Sequence, residues 1–512
     1  MPLRTILIIA ALGAPFSACR PRAEVSEDLA TRPAAPRERA PTDREVKTAF
    51  NKVMMKKLHG RKPSPAEREE LASILASYKQ AMVAAPPETL ACFEEELVDP
   101  EFGVIKLSNF LKSLEAWVSE GVPATKDDLG LNFVATRNNS IQTLSDKEQF
   151  WPALMQDLSS AKDSINIVIF GLMGDEWGKE VFELLSTKVR EGVRVRILAD
   201  ALGARDHWYF KYANKDFLDE MRSHGLEIIT TSSPEDEKGL HFDHRKFYII
   251  DGKVAHNTGY TIEEHMRHVH FDMGFRIEGD MVRQMQAHFF ASYFFFGGKL
   301  ATAERSFTPF MKRYFPQPSS VGDEVAAHLL VNIPWVQHRA TEGYYARIAA
   351  AKKKVTVINE FMSESTFLRT LKDKIDEGIA VEIIYPRLSE WSVHRYDAFN
   401  FFESIKQRPN VKIHLYDGPK DTGWLHTKGI VIDDEYISFG STNFDQLSLY
   451  HNYETNIETH DPRVVAAIQE KVIDYAIKYS KPYAMPNSLR EKIRTWTAPA
   501  VSIPLKYFFK AM

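Results

Sequence analysis

From Leu131 onward, short apolar runs alternate with stretches whose apolar positions recur at helical spacing, which predicts alternating strands and helices. Ser164 to Phe170 predicts a strand, Glu180 to Arg190 a helix, and Gly192 to Leu198 the next strand. The order then repeats, with a strand at Lys354 to Ile358, a helix at Thr366 to Asp376 and a strand at Gly378 to Ile384. The phrase Glu-Gly-(Val/Ile)-x-Val-x-Ile opens at Glu191 and again at Glu377. A repeated order with a shared phrase indicates an internal duplication. The expected fold class is α/β, with two pseudo-symmetric lobes, 131–305 and 323–485, each a mixed sheet between helices. Ser306 to Gly322, richer in Pro and Ser, reads as their connection.

Residues 44–130 have a helical pattern instead. Ser64-Pro65-Ala66-Glu67 reads as a helix start, and Leu71, Leu75, Tyr78 and Met82 follow at helical spacing. A small helical N-terminal domain is expected there, and a C-terminal tail over 486–512. His288 to Phe296 is so aromatic that, as a helix, it would be apolar nearly all round, which predicts buried core. Trp208-Tyr209-Phe210 and Trp391 fall in loops after strands, and Leu505 to Lys510 mixes basic and aromatic residues, which suits either packing against a lobe or an apolar–water interface.

Charge and cysteine usage narrow the picture. The formal net charge is −4, which argues against a protein built to grip nucleic acid. The two cysteines are Cys19 and Cys92. Cys19 follows a basic residue, Arg4, and a short apolar run, and Phe16-Ser17-Ala18-Cys19 resembles the cleavage box of a bacterial lipoprotein signal peptide. The apolar run is shorter than the ~20 residues of a membrane span. The expectation is a signal peptide over 1–18, lipid on Cys19, a Pro- and Ala-rich tether over 19–43, and an exported protein anchored on the periplasmic side of a membrane.

The candidate chemistry lies in two copies of His-x-Lys-x4-Asp: His244, Lys246 and Asp251, then His426, Lys428 and Asp433, 182 residues apart. In a strand, residues two apart share a face, so each histidine sits beside a lysine. Phosphodiester cleavage needs a nucleophile at phosphorus, an acid for the leaving alkoxide, and cations for the non-bridging oxygens. One neutral histidine attacks while the other, protonated, donates; two lysines supply the positive field without a metal or other cofactor. Either histidine can fill either role. Asp251 and Asp433 are placed with the catalytic set by the motif, in a supporting role, since Asp251-Gly252 is a strong hairpin-turn signal and Asp433-Asp434 a weaker one. His265, His268 and His270 cluster near Asp272 without a clean metal-ligand spacing, and His241 reads as a bystander.

Over roughly Leu131 to Lys481 the chain resembles the phospholipase D superfamily, specifically two-motif bacterial members such as cardiolipin synthases. The resemblance rests on Ala161-Lys162-Asp163-Ser164-Ile165, the Glu-Gly-Val strand, both motifs, and Gly440-Ser441-Thr442-Asn443-Phe444-Asp445. It implies two phospholipase D-like lobes, a phospholipid substrate and a phosphohistidine intermediate, with His244 as nucleophile and His426 as acid. It implies that Ser441 and Asn443 line the phosphate site. It also implies that an acid further along orients the motif histidine, a position matched by Asp272 and Glu454. The first half departs from the pattern, with Gly259 and Thr261 standing where the second half has Ser441 and Asn443, so an asymmetric substrate pocket is expected. The protein is expected to act as a monomer. A nuclease of the same superfamily and a non-catalytic lipid-binding protein are the alternatives; the acidic balance opposes the first and the two intact motifs the second.

Overall fold

The computed structural model describes residues 98–99, 104–105, 110–205, 214–231, 241–318, 322–387, 392–419 and 424–484. The expected signal peptide, Cys19, the tether, Cys92, Trp208 to Phe210, Trp391 and the C-terminal tail lie outside them, as does most of the expected helical domain.

The first lobe is a seven-stranded sheet: β1 (Asn139–Leu144), β2 (Ser164–Ile169), β3 (Arg194–Asp200), β4 (Glu227–Thr231), β5 (Phe247–Ile250), β6 (Val254–Thr258) and β7 (Gly274–Gly279). Their spatial order is β1-β7-β6-β5-β2-β3-β4. The second lobe carries β8 (Ala327–Ile333), β9 (Gln337–His338), β10 (Lys354–Ile358), β11 (Ala380–Pro386), β12 (Val411–Tyr416), β13 (Gly429–Ile432), β14 (Tyr436–Gly440), β15 (Glu454–Thr459) and β16 (Ser480–Pro482). Its order is β9-β8-β15-β14-β13-β10-β11-β12-β16. Without the added edges β9 and β16, strand follows strand as in the first lobe. The directions match as well. β2, β3 and β4 run parallel, as do β10, β11 and β12, and the remaining pairs are antiparallel. The duplication read from the sequence is thus a duplication of topology.

The shared Glu-Gly phrase has a local cause. Helices Glu176–Arg190 and Ser365–Asp376 end one residue before it. Gly192 and Gly378 take φ +90° and +87°, where a side chain is strained, and their N–H groups donate to the carbonyls of Val189 and Ile375. The chain then turns directly into β3 or β11.

The central strands are buried on both faces. Phe247 and Ile249 of β5 join a core shared with Val431 of β13, whereas Tyr248 and Ile250 face the outer helices of their own lobe. The aromatic helix α1 (Asp280–Phe295) lies in the shared core, and every residue from Met281 to Phe294 is buried. The connection between lobes follows α1 in the chain. It holds helix α2 (Phe307–Tyr314), because Phe310 and Tyr314 fall on one face and pack on Phe290 with ring centroids 4.7 and 4.9 Å away. The boundary expected at residue 130 moves. Phe110, Leu114, Trp117 and Val118 insert into the core shared with the lobes.

Candidate active site

The two motifs enter the central strands β5 and β13 side by side with segments of the opposite lobe. The His244 N–H donates to the Tyr453 carbonyl (3.1 Å) and the His426 N–H to the Phe271 carbonyl (2.8 Å). Each histidine is therefore pinned to the segment that leads into the other lobe's acid. Nδ1 of His244 lies 3.0 and 3.2 Å from the two oxygens of Glu454, and Nδ1 of His426 lies 2.7 Å from Asp272. In sequence Asp272 follows His244 and Glu454 follows His426; the fold exchanges them. With Nδ1 held by a carboxylate, Nε2 is the reactive nitrogen of each ring. The histidine side chains keep 12 and 13 % exposure while Glu454 and Asp272 keep 0 and 2 %, so a substrate reaches the imidazoles and not the acids.

Both lysines are buried, and each ammonium donates to its own histidine's carbonyl, Lys246 to His244 at 2.7 Å and Lys428 to His426. The Ser441 hydroxyl donates to Glu454. Asn443 is buried, and its Oδ1 has no hydrogen-bond partner among the described residues. In the first lobe a Cβ at Gly259 would lie 2.2 Å from Asp272 Oδ2, so the place of the Ser441 side chain is filled by the carboxylate itself. Thr261, at the place in the first lobe that matches Asn443, is buried as well. The expected asymmetry is thus a difference in how each acid is held.

Asp251 and Asp433 do not join the histidines. They sit beyond β5 and β13 in the hairpin turns, with φ +52° and +56°. The Asp251 carboxylate accepts from the N–H groups of Lys162, Asp163 and Ser164 at 2.7 to 2.9 Å. Asp433 repeats this with Lys352, Lys353 and Lys354 at 2.7 to 2.9 Å. The catalytic assignment of these two aspartates is corrected: they fasten the turn to the start of β2 or β10. Asp433→Ala is expected to cost about 1 to 3 kcal/mol of stability, read as a lower denaturation midpoint, with kcat of the folded enzyme within about threefold of wild type.

Of the other histidines, His265 and His270 contact each other and Trp424, and His270 meets the His426 ring at 5.6 Å. His268 pairs with Glu264 away from them. Among the described residues no three or more His, Cys, Asp or Glu side chains are arranged to hold a metal ion. His241 bonds the His451 carbonyl and accepts from the Trp335 indole N–H.

Two features went unseen in the sequence. Arg245, between the motif His and Lys, turns away into the core. It makes a bidentate pair with Asp243 (2.7 and 2.6 Å), meets His288 and Ser292, and stacks over Tyr453. The second is Glu360, a buried carboxylate 3.9 Å from Nε2 of His426. Its sequence signal is a charge two residues past the apolar strand β10.

The family model described as "Cardiolipin synthase, PLD-like domain" matches residues 154–292 and 344–474, more than half of the 512 residues and both half-sites. The chain belongs to the phospholipase D superfamily. It is 27 % identical over 342 residues to the major cardiolipin synthase ClsA of Bacillus subtilis (strain 168), spanning 64 % of this chain and 67 % of that protein. It is 25 % identical over 378 residues to the cardiolipin synthase of Listeria welshimeri serovar 6b, spanning 71 and 73 %. The crystal structure of phosphatidylserine synthase from Haemophilus influenzae Rd KW20 superposes with a TM-score of 0.53 at 15 % identity, covering 79 % of this chain and 98 % of that one, a likeness of fold.

The electrostatics of this phospholipase D-like site follow from burial. Desolvation pushes the Lys246 ammonium down to about 7, with Glu454 opposing and Lys428 reinforcing the shift. It pushes Lys428 down to about 8, opposed by Asp272 and Glu360. Burial first, and the lysines second, hold the His426 imidazole well below its usual range, while burial pushes the Asp272 carboxyl up. His244 is also lowered, by burial and Lys246, against the pull of Glu454. The protein alone therefore favours neutral imidazoles, as a nucleophile requires. An anionic phosphodiester between the lysines restores negative charge and favours the proton on the histidine that must act as acid.

A lysine is charged below its pKa, and the phosphate site needs both charges. Because kcat/KM reports the free enzyme, it is expected to fall as pH rises through about 7 to 8. An alkaline limb held out to ~10, the ordinary lysine range, would contradict this.

Proposed function

We propose that the protein is a phosphatidyltransferase that moves the phosphatidyl group of a phospholipid onto an alcohol through a phosphohistidine. The observation that carries the reading is the pair of Nε2 atoms on histidines each locked at Nδ1 by the other lobe's carboxylate. His244 Nε2 attacks phosphorus. The bond to the headgroup oxygen breaks, and that oxygen takes the proton from His426 Nε2. An alcohol then attacks the phosphohistidine, gives its proton to His426, and releases His244. Lys246 and Lys428 hold the non-bridging oxygens, with the Asn443 side chain beside them. Family membership and the cardiolipin synthases it resembles support the phospholipid substrate and transfer over hydrolysis.

The same reading places the enzyme, as a monomer, on the periplasmic side of a membrane, tethered by lipid on Cys19. The lipoprotein-like box Phe16-Ser17-Ala18-Cys19 supports this. Among the described residues no helix is long and apolar enough to cross a membrane.

The test is to incubate the purified enzyme with mixed phospholipid vesicles, with and without added alcohol, and to identify products by mass spectrometry. A phosphatidyl-alcohol that grows with the added alcohol supports transfer. Phosphatidic acid alone would replace transfer by hydrolysis, and turnover of DNA without lipid turnover would replace both.

A further inference from the structure

The two lobes differ at one position that faces the reactive nitrogens. Ser164 and Lys354 are equivalent, since their N–H groups bond the two turn aspartates. Six residues on stand Phe170 in the first lobe and Glu360 in the second. The Phe170 ring lies edge-on to His244 at 5.1 Å and under the Lys246 ammonium at 5.3 Å. Glu360 instead sets a carboxylate 3.9 Å from His426 Nε2 and within the field of Lys428. The nucleophile's side of the pocket has an aromatic wall, and the acid's side has a negative one.

Resting on the phosphatidyltransferase reading, we propose that Glu360 selects the alcohol. The side chain would hydrogen-bond a second donor, a hydroxyl or an ammonium, carried two or three atoms beyond the reacting oxygen. The geometry puts it near this ligand. The reacting oxygen must lie within about 3 Å of His426 Nε2 to exchange a proton. A carboxylate 3.9 Å from that nitrogen is within reach of the atoms just past the oxygen. A buried carboxylate is costly unless hydrogen-bonded, and its two oxygens offer about four acceptor positions, one of which would go to the substrate's second donor. A site built to bond a hydroxyl or ammonium rejects an alcohol that lacks it, because the rejected alcohol leaves the acceptor desolvated. Through this contact the pocket would distinguish glycerol- or ethanolamine-like alcohols from simple ones.

The experiment is a competition between 1,3-propanediol, ethanolamine and 1-propanol, with the three phosphatidyl products quantified by mass spectrometry in the full-length enzyme. Wild type should favour the diol and the amine over 1-propanol by at least about tenfold at equal concentration. Glu360→Leu should bring both ratios to within about twofold of one. Glu360→Gln keeps an acceptor oxygen without the charge, so it should keep the diol preference and lose the amine preference. If Glu360→Gln keeps both, the contact is neutral hydrogen bonding and the ammonium arm fails. Ratios unchanged in Glu360→Leu overturn the proposal while transfer itself stands. No transfer to any alcohol by wild type overturns the phosphatidyltransferase reading beneath it. Because the readout is a ratio of products from one enzyme sample, partial unfolding of a variant does not imitate the result.

Discussion

His244→Ala is expected to abolish transfer, and His426→Ala to lower kcat by about 10² to 10⁴-fold. The difference follows from their tasks. Without His244 no nitrogen bonds to phosphorus, and a lysine that spends its ammonium on the His244 carbonyl is no substitute. Without His426 the nucleophile survives, but the leaving oxygen must depart unprotonated or take its proton from water. The loss should therefore be smallest for a phosphodiester with an acidic leaving group, such as a nitrophenyl ester, for which protonation matters least. The kcat/KM values on the lipid and on the activated ester, which report the step that forms the phosphohistidine, check this. Equal losses on both substrates would mean that His426 does not serve as the acid.

The second large effect is on stability. Arg245 and Asp243 are both fully buried, and each is the other's charge partner. Arg245→Ala leaves Asp243 in the core without that partner and also strips His288 and Ser292 of a donor. Breaking such a pair costs about 3 to 5 kcal/mol, a large share of the stability of a typical domain. The second lobe shows the remedy. At the equivalent places, 182 residues on, stand Leu425 and Thr427, and no ion pair is needed. The double variant Asp243→Leu/Arg245→Thr is accordingly expected to be more stable than Arg245→Ala. Denaturant midpoints of the two variants decide the matter; a double variant less stable than the single one would contradict it.

Most of the architecture was legible because it is written twice. Strand spacing, the helix-stop glycines and the two motifs each occur at matching intervals, and duplication turns weak local signals into a strong one. The histidine and lysine positions were legible for the same reason. What stayed hidden depends on contacts between lobes, which no interval within one half encodes. The exchange of Asp272 and Glu454 is such a contact, since it requires the segment at Phe271 to lie along Leu425 and that at Tyr453 along Asp243. The role of Asp251 and Asp433 was misread because a motif groups residues by order, while a short strand carries its far end away from the site. Arg245 gave no signal because parity along a strand says only that it points opposite to its neighbours, not into what. Helix α2 was lost beneath a Pro- and Ser-rich composition, although Phe310 and Tyr314 are four residues apart, as a helical face requires.

The central claim is a covalent intermediate on His244, formed between lobes that each orient the other's histidine. The most direct test is to mix the His426→Ala enzyme with a phosphatidyl nitrophenyl ester, whose acidic leaving group needs no proton for the first step, stop the reaction in denaturant, and search the peptides by mass spectrometry for a phosphatidyl adduct. His426→Ala slows the second step by removing its base, so the adduct should accumulate on the peptide containing His244. That adduct is the expected result, together with its absence from His244→Ala. A phosphatidyl group on His426 of the wild-type enzyme, or full turnover by His244→Ala, would contradict it.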